Sequence, residues 1–140
     1  MTYCEVHGRF MRPDYLYLLD IVAAADSIER FLSDFDEDTS FLVDELHQSA
    51  VLQKLIVIGE AAARISPETR EKHDSVPWLD IIGFRNIAVH AYFSVDWGIV
   101  WITATRDVPR LREQVSVIID QIADTPQRSF EEDDGEDEAT

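Results

Sequence analysis

An all-α fold, a bundle of four to five helices, is what this sequence predicts. Three observations carry that expectation: apolar residues recur at alternating spacings of three and four, helix start and stop residues flank those runs, and no alternating strand pattern appears. From Pro13, the residues Leu18, Ile21, Ala25, Ile28, Leu32 and Phe35 keep helical spacing as far as the acidic turn "DEDTS". Thr39 or Ser40 is placed to cap a second helix. Its apolar positions Leu42, Leu46, Ala50, Leu55, Ile56, Gly59 and Ala63 run almost all the way round, so it is expected to be central and buried. "SPETREKH" predicts a short helical turn with Ser66 as cap and Pro67 at the first position. A third helix begins near Trp78, after Pro77. A fourth carries Trp97, Trp101, Ala104, Val108, Leu111, Val115, Ile118 and Ile122 along one seam. Pro109 interrupts it at a cost of about 3 kcal/mol in a helix interior, which predicts a kink or break near Thr105 to Asp107. The first and last of these helices are expected to pack along their apolar seams.

The chain has 140 residues, enough for one domain with a core. Twenty-eight acidic residues stand against twelve basic ones, a formal net charge of −16, and seven of the acids fall in the last ten residues, "EEDDGEDEAT". We read residues 1–12 as an N-terminal arm, 13–127 as the helical domain and 128–140 as an acidic, disordered tail. So acidic a chain argues against extended binding to nucleic acid through many phosphate contacts, while leaving room for a small positive site. Cys4 is the only cysteine, which excludes an internal disulfide framework and a multi-cysteine zinc site. No apolar run is long enough to span a membrane, and the start "MTYCEVHGRF" has no signal-peptide core, so a cytoplasmic protein is expected.

The stretch "GFRNIAVHAYF", residues 83–93, sets four polar side chains into an otherwise small or apolar run. On a helix, Trp78, Ile82, Arg85, Val89 and Tyr92 form one stripe, and Leu79, Gly83, Asn86 and His90 form the next. Arg85 and His90 lie about 140° apart around the axis, yet the long arginine can bend so that both face one shallow pocket. Gly83 is expected to let another backbone or a ligand come close. A purely structural reading stays open beside this one: Arg85 pairs with a carboxylate such as Glu60 on the buried helix, and His90 makes a satisfied hydrogen bond at a packed interface. The four histidines share no ligand spacing, and "CEVH" at residues 4–7 is only a lone pair of candidate metal ligands.

"RNIAVHAY" also fits the pattern of Arg, four residues, His, any residue, Tyr found in the HepT-like branch of the HEPN ribonuclease toxins. The segments "FLVDELHQSAVLQKLIVIGEAAARIS", "VPWLDIIGFRNIAVHAYFSVDWGIVW" and "RDVPRLREQV" resemble that branch in order and spacing, over roughly residues 14–122. The resemblance implies a HEPN-like bundle and an RNA endonuclease that uses no metal and no cofactor. Arg85 and His90 would be catalytic, with Asn86 and Glu60 in support. The arginine would hold a phosphate and stabilise the charge that builds on it, and the histidine would move protons. DNA, which lacks the 2′-hydroxyl, would not be cut. The resemblance further implies a homodimer in which two motifs face each other. It also implies a partner, a nucleotidyltransferase antitoxin of the MNT type, that attaches AMP to Tyr92. An alternative of another class is a non-catalytic subunit whose pocket holds a nucleotide for such a nucleotidyltransferase. RNA cleavage lost on changing His90 separates the two.

Overall fold

Pro13, whose φ of −61° already suits a helix entry, opens α1 (Asp14–Leu32). The structure, a computed structural model, describes residues 12–36 and 38–124. Most of the expected N-terminal arm, with Cys4 and His7, and the acidic tail lie outside the described residues. In order, the elements after α1 are α2 (Asp38–Phe41), α3 (Glu45–Arg64), α4 (Pro67–Lys72), α5 (Trp78–His90), a 3₁₀ turn (Tyr92–Ser94), α6 (Trp97–Ile102), a π-helical turn (Thr103–Asp107) and α7 (Val108–Asp124). Among the described residues there is no strand. The chain is the all-α bundle that its periodicity predicts.

Four long helices make the frame. α1 and α3 pack on each other most extensively, α5 lies against α3, and α7 lies against α1. The expected seam between the first and last helices is present, but α3 provides the larger cover for α1. Leu18, Ile21 and Ile28 of α1, Val51 of α3, Val100 of α6, Val115 of α7 and the ring of Phe41 are fully buried where these elements meet. Arg112 ties α7 to α1 through Asp26 at 2.6 Å.

Three local features differ from, or sharpen, the reading of the sequence. α3 starts later than expected: Asp44, not Thr39 or Ser40, is its cap and accepts the His47 amide at 2.9 Å. That bond holds the Asp44 carboxyl below its ordinary range. The reason is that Asp38–Phe41 forms its own helical turn, whose end is closed by the buried Gln48 amide donating to the Phe41 carbonyl at 3.0 Å. Consequently Leu42 and Leu46, expected on the buried run, are exposed. The break near Pro109 takes the form of the π turn, in which the Val108 amide reaches back five residues to the Thr103 carbonyl. Pro109 has no amide proton to offer the Thr105 carbonyl, and the wider turn absorbs the misfit. Thr105 Oγ1 spends its proton on the Trp101 carbonyl at 2.7 Å.

Ser66 does cap α4, with Pro67 at the first position as predicted, and it also joins α4 to α1. Asp14 accepts the Ser66 amide at 2.9 Å, the Ser66 hydroxyl at 2.6 Å and the Thr69 hydroxyl. Partial burial alone would push the Asp14 carboxyl up. The bonds from Ser66 and Thr69, with the charge of Arg70, outweigh it and hold the group below its ordinary value of 3.8. A carboxyl depressed in the folded state contributes stability that is complete above its unfolded pKa and is lost as pH falls through the folded one. Asp14→Ala is therefore expected to cost about 1–2 kcal/mol near neutral pH, scaled down from buried charged hydrogen bonds because the site is partly solvated. Urea titrations of both proteins check this: the gap should begin to narrow below about pH 4, the unfolded aspartate pKa, and shrink further as pH falls through the lower folded value.

Candidate active site on α5

α5 is apolar nearly all round yet is covered on one side only. Trp78 and Ala88 are buried, Ile81, Ile82 and Phe84 pack against the core at its edge, and the Trp78 indole donates to the His73 carbonyl at 3.0 Å. Leu79 and Ile87, by contrast, are 80% and 60% exposed. A helix of this composition normally has neighbours on both faces. The polar residues of the motif sit on this half-covered helix, and the structure separates them into an anchored one and open ones.

Arg85 is the anchored residue. Its side chain runs across α3, is 22% exposed, and donates from Nη1 to Oε1 of Glu60 at 2.8 Å. The pairing considered for a purely structural role therefore exists. Nε of Arg85 is buried without a hydrogen-bond partner. Asn86 and His90 are exposed, the latter on the last residue of the helix. His90 is thus not held at a packed interface within the protomer. Nor does Arg85 or His90 line the clefts between the neighbouring helices. Clefts of about 550, 550 and 520 Å³ lie elsewhere, one of them between α5 and α7 over Leu55 and Leu111. Among the described residues, the outer side of α5 at Leu79 and Ile87 is left uncovered.

The helix ends at Ala91, so Tyr92 stands in the 3₁₀ turn just past it. Its half-exposed ring meets Trp97 edge-on at 6.5 Å and Phe93 at 5.8 Å. Trp97 in turn meets the buried Phe41 ring at 6.5 Å. Asp96 explains the Val-Asp-Trp segment that follows the motif: it caps α6 by accepting the amides of Gly98 at 2.9 Å and Ile99 at 3.3 Å. The cap fixes Trp97, and Trp97 braces Tyr92.

Within the protomer, the close approach is made at another glycine. A Cβ placed on Gly83 meets nothing within 4 Å, whereas one on Gly59 of α3 would lie 2.3 Å from Cβ of Arg85. The close approach of backbones is at Gly59, because α5 meets α3 on the side of Arg85 and Ile81 and turns Gly83 away. The sequence held a signal for it. A glycine inside a helix costs about 1 kcal/mol relative to alanine, so the one in "VIGEAAA" needed a packing reason.

A family model for the ribonuclease HepT-like family matches residues 21–118, which contain α3, α5 and the whole motif. The chain belongs to the HepT-like family. "Putative RNase MJ1380" of Methanocaldococcus jannaschii is 34% identical over 102 residues, 73% of this chain and 93% of the relative. "Probable ribonuclease HepT" of Thermococcus cleftensis is 36% identical over 96 residues, 69% of this chain and 86% of the relative. "Putative RNase TTE0752" of Caldanaerobacter subterraneus is 39% identical over 79 residues, 56% of this chain and 70% of that protein. No solved structure gives a significant match. Within this HepT-like chain, the family match and the helical fold agree with the resemblance carried by "RNIAVHAY". No helix of the described residues is long and apolar enough to cross a membrane.

Proposed function

We propose that this chain is a ribonuclease toxin that cuts RNA without a metal ion at a site shared by two copies of α5. The observation that carries the reading is the placement of the motif. Arg85 is tied down on α3, while Asn86 and His90 lie open on a helix whose apolar outer face has no cover among the described residues. A second copy packed there would bury Leu79 and Ile87 and bring a second Arg85 and His90 to the first pair. It would also supply the missing wall.

Two histidines suit the chemistry. One takes the proton from a ribose 2′-hydroxyl as its oxygen attacks phosphorus; the other gives a proton to the leaving 5′ oxygen as the old P–O bond breaks. The products are a 2′,3′-cyclic phosphate and a free 5′-hydroxyl. Arg85 meets the charge that builds on the non-bridging oxygens, and Asn86 orients the phosphate or the imidazole. Glu60 supports Arg85 by the bond it already makes. Paired arginines and histidines would create a local positive slot in an otherwise acidic chain.

Control is assigned to Tyr92. An antitoxin with nucleotidyltransferase chemistry would transfer AMP from ATP to its hydroxyl, with release of pyrophosphate. The half-exposed ring, in contact with Trp97 and two residues after His90, supports this reading.

The shared site is tested by introducing a charge into the uncovered face. Ile87→Asp is expected to turn a dimer into a folded monomer by light scattering and to reduce RNA cleavage at least 10²-fold, the scale of losing one proton-transfer group. A monomeric variant that still cleaves at the wild-type rate refutes the composite site.

A further inference from the structure

We propose that Gly59 is a positioning residue for Arg85: its missing side chain sets the separation of α3 and α5, and that separation fixes where the guanidinium stands. The inference rests on the reading of Arg85 as the phosphate-binding group. A Cβ on Gly59 would come within 2.3 Å of Cβ and 2.8 Å of Cγ of Arg85, and 3.3 Å from the Ile81 carbonyl oxygen. Cβ of Arg85 and the Ile81 carbonyl move with the α5 backbone. A rotamer change cannot relieve the clash, so any side chain at position 59 must push the helix itself.

The neighbouring contacts make that push matter. Glu60, the next residue on α3, holds Nη1 of Arg85 at 2.8 Å, while Nε is buried without a partner. Among the described residues only one bond orients the guanidinium, and the rest of its placement comes from the arginine stem lying on the bare backbone at Gly59. If α5 moves outward, His90 travels with it, whereas the guanidinium stays tethered to α3 through Glu60. The relative position of the two groups then changes by about the displacement of the helix. A misplacement on the order of 1 Å can cost about 10²-fold in rate.

The test is Gly59→Ala in the full chain. Helix propensity alone predicts that alanine raises thermal stability; the close approach predicts a lower Tm instead. With the fold retained, kcat for RNA cleavage should fall about 10²-fold while KM stays within about threefold, the pattern of an interaction lost in the transition state. Folded Gly59→Ala protein that cleaves with wild-type kcat overturns the proposal and leaves Gly59 a packing residue.

A stability cycle with Arg85→Gly, which removes the opposing Cβ, covers the case in which the single variant does not fold. Gly59→Ala should destabilise the wild type but be neutral or stabilising in the Arg85→Gly background. Equal destabilisation in both backgrounds overturns the proposal. This arm needs no activity, so it still tests whether Gly59 sets the approach of α5 to α3 at Arg85 if Arg85→Ala and His90→Ala show that the nuclease reading is wrong; the loss of kcat alone separates positioning from packing.

Discussion

His90→Ala is expected to lower RNA cleavage by about 10²–10⁴-fold, the usual contribution of a positioned general acid or base. Helical content and thermal unfolding should scarcely change. His90 is exposed at the end of α5 and its side chain makes no hydrogen bond or ion pair among the described residues, so the fold loses nothing that it uses. Arg85→Ala should lower cleavage about 10²–10³-fold, by loss of charge stabilisation in the transition state. Its structural effect should be larger than that of His90→Ala, because the arginine stem covers Gly59 and its head pairs with Glu60. The comparison is therefore made per folded molecule, with circular dichroism alongside the cleavage assay. Chelation by EDTA should leave the wild-type rate unchanged, and the RNA fragments should carry 2′,3′-cyclic phosphate ends. Cleavage by His90→Ala at the wild-type rate, or a requirement for a divalent metal, refutes the mechanism.

Tyr92→Phe is expected to abolish protection by the cognate nucleotidyltransferase while keeping most of the cleavage. The hydroxyl is assigned no proton transfer, and the ring contacts with Trp97 and Phe93 do not need it. Co-expression with the active partner should raise the mass of the wild-type chain by one or more AMP units and leave Tyr92→Phe unmodified. Attached AMP offers Arg85 a tethered phosphate at high effective concentration, and RNA must displace it to reach the site. Because Tyr92 stands past the end of α5, the modification should silence the chain without unfolding it. An adduct on another residue, or full neutralisation of Tyr92→Phe, would move the protection to a stoichiometric complex.

Both outcomes depend on distinctions that the sequence and the fold supply separately. The helical periodicity was legible because amphipathic spacing is a local property, and so were the Ser66 cap and the break caused by Pro109. The order Arg85, Asn86, His90, Tyr92 was legible as a motif for the same reason. The cap of α3 was not, since Thr39, Ser40 and Asp44 all have capping side chains. The choice among them depends on where Phe41 finds a buried site and Gln48 a carbonyl.

By itself, then, the sequence determined an all-α chain of the HepT-like pattern, with its chemistry gathered on one helix. The tertiary structure alone decided which face of that helix is covered. It turned Arg85 onto Glu60 and left Asn86 and His90 open. Within the protomer it also placed the close helix contact at Gly59 and left the surface at Gly83 open. The physical reason is that α5 is apolar almost all round: its composition gives no preferred side, and only the packing of Ile81 and Arg85 on α3 fixes its rotation.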